Sequence, residues 1–144
     1  MRRPNPGSTA EIDPVVVYGR LPRLGPDRPS VRLNMIASVD GAVALAGRSG
    51  TLGDQAEKAL FATLRSLADV VLVGAVTIRT EGCGPAQLAA AGLLDGVCLT
   101  VSPVVEGGGA KRTIRGAELA VPAVLALKSV LEADGYLFLR YGRR

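Results

Sequence analysis

The sequence predicts an α/β fold in which helices flank a mixed sheet. Three observations lead to this expectation. An alternating apolar run begins at Val31, an amphipathic helical pattern follows Asp54, and strand-like stretches return after residue 96. The chain has 144 residues, of which 48% are hydrophobic, so it is long enough to bury one core of ordinary size.

The first elements follow a proline-rich start. Residues 1–29 are predicted to form an extended arm, because proline restricts the backbone and cannot donate a backbone hydrogen bond. Residues 30–144 then make up the folded domain. Val31, Leu33 and Met35 alternate with the residues between them over a strand length, which predicts a largely buried strand.

A helix is predicted from Asp54 to about residue 67. Asp54 can cap its start, with Glu57 three residues further on, and Leu60 and Leu64 then recur at helical spacing. The apolar stripe of this helix is expected to lie on the sheet.

The second half of the chain supplies the remaining strands. The continuous apolar run Val70–Val73 predicts a central strand that is covered on both faces. A second helix is predicted at roughly 85–93 and another strand at 96–101. Residues 123–141 read as two antiparallel strands joined by a turn at 132–135.

Composition excludes several classes of protein. Histidine is absent, and the two cysteines, Cys83 and Cys98, lack the spacing of a zinc site or a disulfide framework, so a metal-free, reduced protein is predicted. The basic start is not followed by an apolar stretch and no run is long enough to span a bilayer. We therefore expect a cytoplasmic protein with no membrane partner. The scattered basic residues lack stacking aromatics, which argues against nucleic-acid binding.

Two turns at the ends of predicted strands carry glycine beside hydroxyl or carboxylate groups, at residues 37–41 (ASVDG) and 73–77 (VGAVT). Ligands of open α/β sheets gather at such places. Together with residues 48–50 (RSG) and 62–65 (ATLR), these motifs keep a fixed relative spacing. In that arrangement the segment resembles the reductase domain of the bifunctional deaminase-reductases of riboflavin biosynthesis, the pyrimidine reductase family.

A second block of the chain resembles the C-terminal region of the same family, through residues 87–103, 107–109 and 134–140. Several strands and helices separate the two blocks in the family. The resemblance therefore implies a dihydrofolate-reductase-like mixed sheet flanked by helices, with central elements missing. Residues 79–85 resemble both sides of the gap, and we predict that an internal in-frame deletion joined them.

The resemblance also implies a function. Family members are NADPH-dependent reductases that convert the ribosyl group of a phosphoribosylaminopyrimidine, of the 5-amino-6-(5-phosphoribosylamino)uracil type, to a ribityl group, and they commonly form homodimers. The positions that match family contacts with the cofactor are Ala37, Thr51 and Thr77. Those that match substrate contacts are Ser49 and Arg65, and further polar residues of the cleft are Asp40 and Glu81. No residue is assigned as catalytic.

Each of these residues also has a structural interpretation. Asp40 and the following glycine form a good turn, Arg65 on a helix edge is typical of a solvated residue, and Thr77 suits the end of a strand. The glycines at 107–109 fit a flexible connection better than a phosphate-binding loop. For the whole chain, the alternative is a non-catalytic, internally deleted remnant or dimerisation module of the family.

Overall fold

Among the residues that the structure describes, four strands form one mixed sheet in the order β1-β2-β4-β3. The computed structural model describes residues 1, 11–22, 24–72, 85–109 and 119–144, without the side chains of Ser49 and residues 85–87. The strands are β1 (Val31–Ser38), β2 (Leu94–Ser102), β3 (Leu125–Ala133) and β4 (Tyr136–Arg143). β1 runs parallel to β2, whereas β4 is antiparallel to both β2 and β3. The predicted mixed sheet and its closing hairpin are confirmed.

Within the described ranges, three helices accompany the sheet: α1 (Pro14–Tyr18), α2 (Gln55–Ser66) and α3 (Pro85–Ala90). The predicted start of α2 is confirmed, because the Asp54 carboxylate accepts a 2.8 Å hydrogen bond from the backbone N–H of Glu57. Leu60 and Leu64 are buried on its inner face. None of the helices in the described parts of the chain is long and apolar enough to cross a membrane.

Helix α3 is shorter than the predicted helix over 85–93. It ends because Gly92 adopts a φ of 65°, a left-handed conformation that glycine tolerates best. The N–H groups of Gly92 and Leu93 donate to the carbonyls of Ala89 and Leu88 at 3.0 and 2.9 Å, the crossed pattern that closes many helices.

The core lies between one face of the sheet and helices α1 and α2. Its buried members come from α1, from α2 and from the sheet: Tyr18, Leu60, Leu64, Cys98, Leu131 and Phe138. Cys98 is a small core residue, and burial raises the pKa of its thiol to about 11.

The prediction of an extended N-terminal arm is wrong for residues 14–18, which form α1. Asp13 caps this helix by accepting a 2.8 Å hydrogen bond from the N–H of Val15, and Pro14 occupies the first turn. Arg32 of β1 donates to the carbonyl of Tyr18 at 2.8 Å. Because proline is tolerated at the start of a short helix, a high proline content alone was not sufficient to predict an extended backbone here.

The prediction of a central strand at Val70–Val73 is wrong for the residues that are described. Residues 70–72 have no regular structure, and Val70 and Leu72 are 75% and 86% exposed. An apolar run forms a strand only where a neighbouring strand supplies hydrogen bonds, and within the described chain β1 pairs with β2 alone. The remainder of the run, from Val73, lies outside the described residues.

Candidate functional site

The carboxyl ends of β1 and β2 meet at one edge of the sheet. The two strands are parallel and in register, so Ser38 at the end of β1 lies opposite Ser102 at the end of β2. Side chains and amides that follow such ends border the crevice where α/β proteins commonly bind ligands. This edge is the candidate site, and it contains the first of the two predicted turns.

Asp40 is the charged centre of this edge. Its carboxylate accepts hydrogen bonds from the hydroxyl of Ser38, from the N–H of Gly107 at 2.8 Å and from the N–H of Glu106 at 3.3 Å. These donors, with the Ser38 hydroxyl first, lower the pKa of Asp40 to about 2. Asp40 is therefore ionised at neutral pH and ties the loop after β2 to the end of β1.

Ser38 fixes the turn that carries Asp40. Its hydroxyl accepts a 2.8 Å hydrogen bond from the N–H of Ala42, and its own N–H donates to the carbonyl of Ala42 at 2.8 Å. Gly41 has a φ of 86° and donates to the carbonyl of Ser38 at 2.9 Å. The Asp40-Gly41 turn is therefore built as predicted from its residue types, and it also connects the end of β1 to the loop after β2.

The loop that follows β2 is hydrogen-bonded to the turn that follows β1. Gly107 donates to the Asp40 carboxylate at 2.8 Å, and the flexible connection that the glycines suggested stays a prediction. Among the described residues, a Cβ added at Gly107, Gly108 or Gly109 would meet no atom within 4 Å, so this part of the chain leaves open space along the loop. Two of its amide donors serve Asp40, which leaves it poorly suited to hold a phosphate next to that carboxylate.

Ser102 was missed as a residue of this site. Its side chain is fully buried, and among the described residues its hydroxyl oxygen finds no hydrogen-bond partner. A sequence signal was present, because a serine directly follows each of the two predicted strands that form this edge. The parallel register itself could not be read from one sequence.

The predicted cofactor residues lie in two places. Ala37 is next to the end of β1 and is only 3% exposed, so a ligand at this edge reaches the turn residues rather than the Ala37 side chain. Thr51 lies in a single 3-10 turn at Ser49–Thr51, and its hydroxyl donates to the carbonyl of Arg48 at 2.9 Å. Thr77 and Glu81 lie outside the described residues.

The predicted substrate residues precede and occupy helix α2. Ser49 begins the 3-10 turn. Arg65 lies near the end of α2, and its guanidinium carbon is 4.4 Å from the centre of the Phe61 ring. This stacking holds an exposed cation in place without neutralising it, which leaves its donors available to an anion.

Electrostatically, the described edge combines one ionised carboxylate with small side chains and backbone amides. Glu106 adds a second acidic group, and its carboxylate accepts from the N–H of Ala46 at 3.4 Å. Such a donor and acceptor set suits uncharged polar groups better than phosphates. Within the described residues, no group of three or more acidic, cysteine or histidine side chains could hold a metal ion.

Comparisons with known proteins give a family match for part of the chain and structures of similar fold. Residues 29–85 match the RibD C-terminal domain family. A pyrimidine reductase-like protein from Corynebacterium diphtheriae superimposes with a TM-score of 0.63 at 18% identity, over 90% of this chain and 97% of that chain. RibD from Acinetobacter baumannii gives 0.59 at 13% identity, over 81% of this chain but 58% of its own. No curated protein sequence matches the chain.

At these identities the structural likeness shows the fold, and it confirms the predicted dihydrofolate-reductase-like α/β class. The family match contains β1, the Asp40 turn and α2, whereas β2 and the loop that completes the candidate edge lie outside it. The chain spans little more than half the length of the Acinetobacter protein.

Proposed function

We propose that this chain, a relative of the riboflavin-biosynthesis pyrimidine reductases through its RibD C-terminal domain segment, is an oxidoreductase that uses a nicotinamide cofactor. The finer proposal is NADPH-dependent reduction of the ribosyl group of a phosphoribosylaminopyrimidine. The observation that carries it is the coincidence of the family match over residues 29–85 with the polar edge around Asp40.

The residues at this edge fit the uncharged part of such a cofactor. The open space along Gly107–Gly109 and the amides around the Asp40 turn suit a carboxamide and ribose hydroxyls. When bound, the nicotinamide supplies the hydride, and the protein has to orient it and exclude water. Thr51, in an exposed turn ahead of α2, is the described threonine that the proposal assigns to the cofactor.

Arg65 fits a phosphorylated substrate. A guanidinium presents donors in a planar fork that matches phosphate oxygens, and stacking on Phe61 limits the freedom that Arg65 would lose on binding. The proposal places the phosphate of the substrate at Arg65 and, by motif, a second contact at Ser49.

A second candidate is a non-catalytic module of the same family. The exposure of the apolar residues 70–72, where the sequence predicted a central strand, favours it.

Calorimetric titration of the chain with NADPH, with NADH as the comparison, separates the two candidates. We expect saturable binding that is tighter for NADPH. Thr51→Ala should weaken it several-fold, by the loss of about one hydrogen bond. Thr63→Ala is the matched control, because the Thr63 hydroxyl also donates to a backbone carbonyl, that of Ala59 at 3.0 Å, but lies on α2. Absence of NADPH binding by a cooperatively folded chain would favour the non-catalytic module.

A further inference from the structure

Three aspartates of the chain are followed directly by glycine, in the pairs 40–41, 95–96 and 134–135. In such a pair the glycine nitrogen can bond to the side-chain carboxyl carbon of the aspartate, because glycine has no Cβ to hinder the approach. A succinimide ring and one water are formed. Water then reopens the ring, and the product is either aspartate or isoaspartate, in which the chain continues through the side chain. The sequence makes the three pairs equivalent, whereas the structure does not.

Other groups hold the carboxylates of the first two pairs. Asp40 accepts hydrogen bonds from one hydroxyl and two backbone N–H groups, which lower its pKa to about 2. The protonated carboxyl, from which the hydroxyl can leave as water, is therefore scarce at neutral pH. Asp95 is 8% exposed within β2, pairs with Arg28 and Arg143, and accepts from the N–H of Val31 at 2.9 Å. Attack on either carboxyl carbon requires these partners to be released.

The third pair forms the tip of the hairpin between β3 and β4. Asp134 and Gly135 are exposed there, with φ angles of 51° and 84°. Within the described residues, neither a hydrogen bond nor an ion pair holds the Asp134 carboxyl. The carboxylate of Glu132 accepts a 3.1 Å hydrogen bond from the N–H of Gly135. The nitrogen that attacks in this pair therefore already directs its proton at a base.

We propose that Asp134 is the principal site of isoaspartate formation in this chain, with Glu132 as the proton acceptor. As the Gly135 nitrogen bonds to the side-chain carbon of Asp134, its proton passes to Glu132. The hydroxyl of the protonated Asp134 carboxyl takes up that proton and leaves as water, so no oxidant or reductant is needed. A second water opens the ring at one of its two carbonyls. This inference goes beyond the proposed reductase activity and does not depend on it.

The altered turn would affect its neighbours. Isoaspartate adds one carbon to the backbone of a two-residue turn, and this changes the pairing of Ala133 with Tyr136. A Cβ at Gly135 would lie 3.6 Å from Cγ of Pro103, so the turn lies beside the loop after β2. The hydroxyl of Tyr136 donates to the carbonyl of Leu52. Isomerisation is therefore expected to loosen the contacts of the hairpin with two other parts of the chain.

The test is incubation of the folded full chain at neutral pH in water labelled with heavy oxygen. Trypsin then separates the three pairs into different peptides, because Arg48 and Lys111 lie between them. Each ring opening adds one labelled oxygen, and electron-transfer fragmentation distinguishes isoaspartate from aspartate. We expect label at Asp134 to exceed label at Asp40 by about tenfold or more, since each unit of pKa changes the protonated fraction tenfold. In urea-unfolded chain the three rates should converge.

Two variants test the roles of the carboxyl groups. Glu132→Gln keeps a hydrogen-bond acceptor but cannot take up the proton, and it should slow labelling at Asp134 several-fold. Glu11→Gln is the matched control, because Glu11 is an exposed acid far along the chain from the hairpin, and it should leave the rate unchanged. Asp134→Glu keeps the charge but would need a larger ring, and it should abolish the isomerisation.

Three results would contradict the proposal. Labelling of the folded chain at Asp40 or Asp95 that is as fast as at Asp134 would overturn the assignment of the site, and this comparison needs no variant. Persistent labelling of the hairpin peptide in Asp134→Glu would place the reaction at another residue. An unchanged or faster rate in Glu132→Gln would show that Glu132 does not accept the proton.

Discussion

At the scale of single residues, two tyrosines make opposite contributions to stability. Tyr18 is fully buried in the core, and within the described structure its hydroxyl has no hydrogen-bond partner. Burial raises the pKa of Tyr18, so the hydroxyl stays neutral. The hydroxyl of Tyr136, in contrast, donates to the carbonyl of Leu52 at 3.1 Å.

This contrast predicts opposite effects of the same substitution. Tyr18→Phe removes a desolvated group without opening a cavity and should raise the free energy of unfolding by about 1 kcal/mol. Tyr136→Phe removes a satisfied hydrogen bond and should lower it by about 1 kcal/mol. Urea unfolding of both variants checks the signs, and a loss of stability in Tyr18→Phe would show that the hydroxyl is satisfied in solution.

At the scale of elements, the Asp40 tie between β1 and the loop after β2 predicts a dependence on pH. Because the folded-state pKa of Asp40 is lowered to about 2, its stabilising effect is complete above the ordinary carboxyl pKa. It is lost as the pH falls toward 2. Asp40→Asn should therefore lower Tm at pH 6, and the difference from wild type should shrink between pH 4 and pH 2.

Asp27→Asn is the matched control for that series, because Asp27 is an exposed acid in the loop before β1. It should follow the wild-type Tm at every pH. A constant difference between Asp40→Asn and wild type across this range would mean that the charge of Asp40 does not stabilise the loop.

The same scale shows what the sequence could predict. Helix α2 and the closing hairpin were predictable because their signals are local: the Asp54 cap, the leucine spacing and the Asp134-Gly135 turn. The run at residues 70–72 was not, because an apolar run specifies burial but not the neighbour that provides it. Helix α1 escaped prediction because distant residues hold its five-residue span in place, among them Arg32.

The candidate site likewise has one part that the sequence could predict and one part that it could not. Asp40 was predictable as a turn residue from its glycine neighbour, but its partners Glu106 and Gly107 lie 66 and 67 residues away along the chain. Such contacts follow from the parallel pairing of β1 with β2, which no single stretch of sequence encodes. The roles of Ser49, Arg65 and Thr51 toward ligands stay predictions.

At the scale of the whole molecule, arginines join the two ends of the chain. Arg140 of β4 donates to the carbonyl of Val17 in α1 at 2.6 Å, across 123 residues of sequence. Arg28 and Arg143 both pair with Asp95, at 2.8 and 3.3 Å, and so connect the segment before β1 to the start of β2 and the end of β4. The N-terminal segment is therefore held against the sheet by charge-assisted hydrogen bonds.

The strongest consequence concerns Arg140. A guanidinium at the C-terminal end of a helix satisfies carbonyls that have no partner within it and interacts favourably with the helix dipole. Arg140→Met keeps most of the side-chain volume but removes the donor, and should lower the stability of the α1 contact by about 1–2 kcal/mol. Hydrogen exchange of the Gly19 amide measures the local stability of this contact, because the N–H of Gly19 donates to the carbonyl of Val15 at 3.0 Å.

We expect the Gly19 amide to exchange roughly 5- to 30-fold faster in Arg140→Met, from that energy and the tenfold change per 1.4 kcal/mol. Amides of the β3–β4 hairpin should keep their wild-type rates. Arg144→Met, at the exposed end of the chain, is the control and should change neither. Equal acceleration at Gly19 and in the hairpin would mean that Arg140 stabilises the sheet as a whole, and that the N-terminal segment docks through the burial of Tyr18 instead.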